Sequence, residues 1–283
     1  MTIKEMQVCA TETLTYFMQT MPDVPFTEDD IIIEFAHKRD MVNCVKKHIT
    51  KCCQKELINE SQARQLANVI AGKAVIGKEK SAVIIRIDYK TNNQNLRTLL
   101  FHEFMHIFCG KLEMDNDHFV DIYGTGLPQN LNPADEDYTT LDAGYTVWSE
   151  FIAQYYAVIK TEEGSFTYSS MSEYIVGSFS AVHNDSKENS QLLLAAGCSY
   201  LFACKDFDDT LYNIAHRTNS MLDDNAPYGR ETKMALLSCL EHLRDQIQKE
   251  KPWKINEEFI FDLGERFLWF KTMNSIYLGT FSK

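Results

Sequence analysis

The sequence predicts an α+β protein: a small mixed sheet with its helices in an N-terminal lobe, followed by a mainly helical C-terminal lobe. Two short runs rich in β-branched residues, Ile31-Ile32-Ile33-Glu34-Phe35 and Ala82-Val83-Ile84-Ile85-Arg86-Ile87-Asp88, lie early in the chain. After about Thr146, apolar residues recur at helical spacing instead. Between these regions runs a long acidic connection, Leu112 to Ala143, containing Asn, Asp, Gly and Pro and little periodicity. The expected boundary follows: residues 1–110 form an α/β lobe, and residues 111–283 form the connection and a helical lobe.

Ile3, Met6, Ala10, Leu14, Phe17 and Met18 predict a first helix, and Met21-Pro22-Asp23-Val24-Pro25 punctuates its end.

 Pro22 carries no amide hydrogen, so the segment closes that helix. Ile31 to Phe35 reads as a buried strand, followed by one or two helices across about Met41 to Ala71. Lys73 to Ile76 and Ala82 to Asp88 read as two further strands joined by the turn-like Gly77-Lys78-Glu79-Lys80. From Asn95 to Cys109 the pattern is helical, with Thr91, Asn92 or Asn93 available as N-cap and Gly110 placed to end it. Apolar residues surround this helix on nearly every side, which places it at the centre of the protein against the sheet. Later helices are expected at about Thr146 to Lys160, Ser190 to Cys204, Phe207 to Ser220, Thr232 to Lys249 and Glu257 to Ser275. Leu236, Leu240, Leu243 and Ile247 make a core-facing stripe on the fourth of these, and Pro252 follows its end.

With 283 residues, 45% of them hydrophobic, the chain can bury a substantial core. Its 40 acidic residues against 28 basic ones give a formal charge of -12, which repels a phosphate backbone and argues against nucleic acid as a partner. Glu5 and Glu12 interrupt any apolar export signal, and the longest apolar run, Leu192 to Cys204, is too short to span a bilayer. No membrane partner is expected. The eight cysteines lie mostly within helical patterns and include no CxxC pair, so reduced thiols and a cytoplasmic location are expected.

The chemistry concentrates in Thr98 to Phe108, TLLFHEFMHIF. Ionisable groups in an apolar run need a compensating partner, because burying an unpaired charge is costly. Residues four apart on a helix share one face, so His102 and His106 can direct two imidazoles at one tetrahedral zinc ion. Glu103 is rotated aside, placed to reach a water on the metal without becoming a ligand. A catalytic zinc also needs a third protein ligand and an open position. Glu113, Asp115, Asp117, His118, Asp121 and Glu150 are downstream candidates. Glu150 is preferred, because it sits in the helical Thr146-Val147-Trp148-Ser149-Glu150-Phe151 segment rather than on the connection.

The HExxH pattern resembles that of the zincin zinc metallopeptidases. A glutamate from a later helix makes the resemblance one to the gluzincin type, with the ImmA/IrrE-like and the lethal-factor/Pro-Pro endopeptidase-like branches the nearest in pattern. The resemblance covers about residues 82 to 160. It implies a zincin-like fold, one zinc ion held by His102, His106 and Glu150, and hydrolysis of a peptide or protein substrate with Glu103 as general base. It also implies a tyrosine donor to the oxyanion, for which Tyr145 is the nearest counterpart and Tyr228, His216 and His183 are rivals. Thermolysin-like relatives carry an aspartate one turn after the glutamate ligand, where this chain has Gln154. The competing expectation is a non-catalytic or regulatory zinc-binding protein that recognises a peptide or protein partner. Glu103 separates the two, since a purely structural site needs no base beside the metal.

Overall fold

The computed structural model describes residues 1–53, 71–87, 92–114 and 136–161, residues 191, 193–197 and 199, and residues 228–281. These form helices α1 (Ile3–Thr20), α2 (Met41–His48), α3 (Asn93–Lys111), α4 (Glu136–Thr161), α5 (Gly229–Ile247) and α6 (Glu257–Phe281), with strands β1 (Ile31–Ala36), β2 (Gly72–Val75) and β3 (Ser81–Arg86). The protein is thus α+β and mostly helical. Two compact units divide it: Met1–Glu113 with Tyr156–Gly164, and Met114–Tyr155 with Ser165–Lys283. The expected helix at Phe207 to Ser220 lies outside the described residues, as does most of the segment after Cys53 that precedes β2.

In the first unit the three strands form a mixed sheet in the order β1-β3-β2. β1 runs parallel to β3, with Ile31 opposite Ser81, and β2 runs antiparallel to it, with Gly72 opposite Ile85. Ser81 to Ile85 of the central β3 are all buried, which explains its unbroken apolar reading. Successive side chains point to opposite faces. Ala82 and Ile84 pack with Met41 and Val45 of α2, whereas Gly72 and Ile85 lie under α3.

α1 opens with a capping box, in which the Glu5 amide donates to Thr2 Oγ1 at 3.2 Å and the Thr2 amide to Glu5 Oε2 at 2.7 Å. Its buried stripe of Met6, Ala10, Leu14 and Phe17 covers α3 from the side away from the sheet. The Phe17 ring lies 4.7 Å from Phe101, 5.8 Å from Phe104 and 6.1 Å from Phe108. α3 is therefore covered by sheet on one side and by α1 on another, the placement its all-round apolar character requires.

Two expected boundaries are corrected. Asn92 caps α3, its side chain accepting from the Asn95 amide at 2.8 Å, but Gly110 does not end the helix. α3 continues through Lys111, and Glu113 takes the left-handed conformation after it, with φ 61°. Gly110 serves packing instead: a Cβ there would lie 2.6 Å from Ile76 Cδ1. α4 likewise begins at Glu136, ten residues before the expected Thr146, so the connection is shorter than its composition suggests.

A polar cluster joins β1 to α2. Glu34 accepts from Lys47 Nζ at 2.7 Å and Cys44 Sγ at 3.2 Å, and it meets His48 Nε2 at 2.6 Å. Burial pushes the Glu34 carboxyl up, but the bonds from Lys47, His48 and Cys44 outweigh it and hold the group at about 2 against an ordinary 4.5. Burial and the same carboxylate push the Cys44 thiol up to about 11, so it stays protonated. Because the folded-state carboxyl titrates below the unfolded one, its contribution is complete above about pH 4.5 and is lost as pH falls towards 2. Glu34→Gln is expected to cost about 2 kcal/mol at pH 7, after a discount for partial exposure. Denaturant titrations across pH 2–7 check it, since the gap between variant and wild type must close at the acid end.

In the second unit, α5 and α6 pack through Leu236, Cys239, Leu240 and Leu243 against Ile260, Leu263 and Phe267. The His242 ring stacks on Phe259 at 4.6 Å, and the Trp148 ring of α4 meets Phe259 edge-on at 5.3 Å. The Gln246 amide donates to the carbonyls of Pro252 at 2.8 Å and Lys254 at 2.9 Å, which ties the loop after α5 to that helix. Among the described residues, no helix is long and apolar enough to cross a membrane.

Candidate metal centre

His102 and His106 stand four residues apart on α3, a rotation of about 40°. Their Nε2 atoms are 3.0 Å apart and their ring centroids 4.7 Å apart, with the planes at 80°. Two imidazole nitrogens on one tetrahedral zinc, each about 2.0–2.1 Å from it, are separated by about 3.3 Å. The observed pair is therefore almost at ligand spacing. Glu150 completes the group: one ligand atom from each of His102, His106 and Glu150 lies within 4.8 Å of the other two. All three side chains are half-buried.

α4 is one helix that contributes to both compact units. The last turns of α4, Tyr156–Thr161, belong to the same compact unit as α3. There Thr161 Oγ1 is 2.8 Å from Thr98 Oγ1, and the Gln94 side-chain amide donates to the Thr161 carbonyl. The donor set of two neutral imidazoles and one carboxylate, drawn from two rigid helices, can hold a divalent metal ion.

Glu103 is 6% exposed, a buried carboxylate beside the two histidines in sequence and rotated off their face. It lies over the first residue of β2, where a Cβ on Gly72 would stand 2.8 Å from Glu103 Oε1 and 3.1 Å from Ile85 Cδ1. Gly72 was not foreseen as part of the site. Its signal was a glycine at the margin of a strand pattern, which marks close approach of another group. Cys109, further along α3, is pushed up to about 12 by burial and is a protonated, apolar neighbour rather than a thiolate ligand.

The Tyr145 hydroxyl donates to the Met114 carbonyl at 3.3 Å, and five residues on a helix separate it from Glu150 by about 140° around the axis. Tyr228 is exposed, in a left-handed conformation with φ 65° ahead of α5. Glu113 closes α3. Asp115, Asp117, His118, Asp121, His183 and His216 lie outside the described residues.

These features define an α+β protein with three donors on two helices that could hold a metal ion. Comparison with known proteins finds no match: no protein-family model fits the chain, and no curated protein or solved structure pairs with it. The functional reading therefore rests on the chemistry of the donors themselves.

Proposed function

We propose that this chain is a zinc metallopeptidase of zincin-like, gluzincin type that hydrolyses peptide bonds in a cytoplasmic peptide or protein substrate. The observation that carries the reading is the convergence of His102, His106 and Glu150, with the buried Glu103 next to the first of them. Among the described residues the group has three members. Two histidines and a carboxylate are a donor set that catalytic zinc sites use.

Zinc held there would supply Lewis acidity, lowering the pKa of the attacking water and polarising the scissile carbonyl. Glu103 would take a proton from the attacking water at its carboxylate and pass it to the departing amine. Its place over Gly72 directs the Glu103 carboxylate, and burial limits its access to bulk water. His102 and His106 would hold the ion as neutral imidazoles. Gln154, one turn after Glu150 on the same helix face, is suited to accept a ring N–H and hold its tautomer. Tyr145 is not given the oxyanion role, because its hydroxyl bonds the Met114 carbonyl and it stands about 140° around α4 from Glu150.

The test is metal analysis of the purified full chain, after chelation and reconstitution with zinc, coupled to cleavage of a peptide library. One zinc per chain is expected, with hydrolysis that disappears on chelation and returns with the ion. No zinc uptake overturns the proposal, and uptake with no cleavage leaves a metal-dependent binding protein. A second variant probes the base: Gly72→Val should drive the Glu103 carboxylate aside and lower kcat about 100-fold with zinc retained, because an ångström of misplacement has that order of effect. Steady-state kinetics alongside zinc content measures it.

A further inference from the structure

A separate cavity of about 330 Å³ lies within the first unit, at the other end of α3 and α4 from the histidines. Its walls include Glu12 and Tyr16 of α1, Gln94 and Arg97 of α3, and Lys160 and Thr161 of α4. The volume falls at the small end of the range for small-molecule sites, about 300–1,000 Å³.

The charges in its wall are reversed relative to the chain. The protein carries a formal charge of -12, yet among the described residues this cavity has two cations, Arg97 and Lys160, against the single carboxylate of Glu12. Glu12 pairs with Arg97 at 3.1 Å, with both side chains about half exposed, so the pair is weak and readily exchanged. The Lys160 ammonium has a long bond of 3.5 Å to the Thr20 carbonyl and, among the described residues, no carboxylate partner. Gln94 and Arg97 stand in the first turns of α3, where the helix dipole adds positive potential. The opposing negative end of α4 is offset by the Gln94 amide on the Thr161 carbonyl. Tyr16, 41% exposed, supplies a flat apolar wall beside these donors.

We propose that this cavity binds a small organic anion, a carboxylate or phosphate head between Arg97 and Lys160 with an aromatic or aliphatic body against Tyr16, and that its occupation tightens metal binding. The second half rests on the metal reading above; the first half does not. The physical link is that α3 and α4 carry both sets of residues, so a ligand bridging Arg97 to Lys160 clamps the two helices that hold His102, His106 and Glu150. Linkage makes the effect reciprocal: zinc must tighten the anion by the factor the anion tightens zinc.

The experiment titrates the full chain with phenyl phosphate, phenylacetate and neutral phenylacetamide by calorimetry, without and with zinc. Saturable binding of one or both anions, at least tenfold tighter than the amide, is expected, and the two anion arms identify the preferred head. Arg97→Gln combined with Lys160→Gln should weaken anion binding at least tenfold. Glu12→Gln should strengthen it severalfold, a gain that misfolding cannot produce. Saturating anion should raise zinc affinity about fivefold in wild type and leave it unchanged in the double variant. Equal binding of the amide, no saturable binding, or unaltered binding in the double variant overturns the site. Anion binding with unaltered zinc affinity overturns the coupling, whereas a chain that takes up no zinc but still binds anion refutes the metal reading alone.

Discussion

Glu103→Gln is expected to keep zinc at wild-type stoichiometry and to lose about 1,000-fold in peptide hydrolysis, the magnitude a general base contributes. The amide matches the carboxylate in shape, so a side chain only 6% exposed is replaced without a cavity or an overpacked contact. What it removes is the ability to take up and return a proton. His106→Ala and Glu150→Ala should act at the earlier step. Each deletes one of three donors, and the loss in zinc affinity should exceed the 10–100-fold that loss of an outer hydrogen-bonding partner brings. Elemental analysis of the dialysed variants and single-turnover cleavage assays separate the two classes. Wild-type turnover in Glu103→Gln would end the peptidase reading, and full zinc retention in Glu150→Ala would remove α4 from the site.

Gly144→Ala and Gly264→Ala should each destabilise the second unit by about 3 kcal/mol, although alanine is the better helix former by about 1 kcal/mol. The sign is what makes the prediction sharp. A Cβ on Gly144 would stand 2.0 Å from the Ile260 carbonyl oxygen and 2.8 Å from the Gly264 amide nitrogen, and one on Gly264 would stand 2.0 Å from the Thr140 carbonyl oxygen. These are main-chain atoms, which cannot rotate out of the way as a side chain can, so α4 and α6 must move apart to admit a methyl group. Trp148 and Phe259 then lose their contact as well. Glu150 follows Gly144 by six residues on α4, so zinc affinity should fall together with the denaturation midpoint. Two variants as stable as wild type would show that the helices do not cross at these glycines.

Local features were legible in the chain before its fold was known. The strand pattern located β1, β2 and β3 to within a residue or two. Asn92 was among three residues offered as the cap of α3, and the reading worked because a cap bond reaches only three residues ahead. The cavity at Arg97 and Lys160 was not legible, since its walls come from α1, α3 and α4. Gly110 misled for the same reason. A glycine after an apolar run reads as a helix stop, but here its missing side chain admits Ile76, a contact between helix and sheet. The start of α4 was missed because Glu136 to Gly144 has mixed propensity and is held helical by its crossing with α6, with Thr140 and Gly144 packed on Gly264 and Ile260.

Residues four apart on a helix share a face whatever surrounds them, so the pairing of His102 with His106 was determined by the sequence alone, as were the apolar surround of α3 and the acidity of the chain. Glu150 was preferred because it lies on a helix rather than on the connection, but that its carboxylate meets the two histidines was decided only in three dimensions, since nothing local sets the distance between residues 44 apart in the chain. The contact of Glu103 with Gly72 has the same origin: a helix laid on a sheet edge, with the space for a carboxylate left by a side chain that is absent.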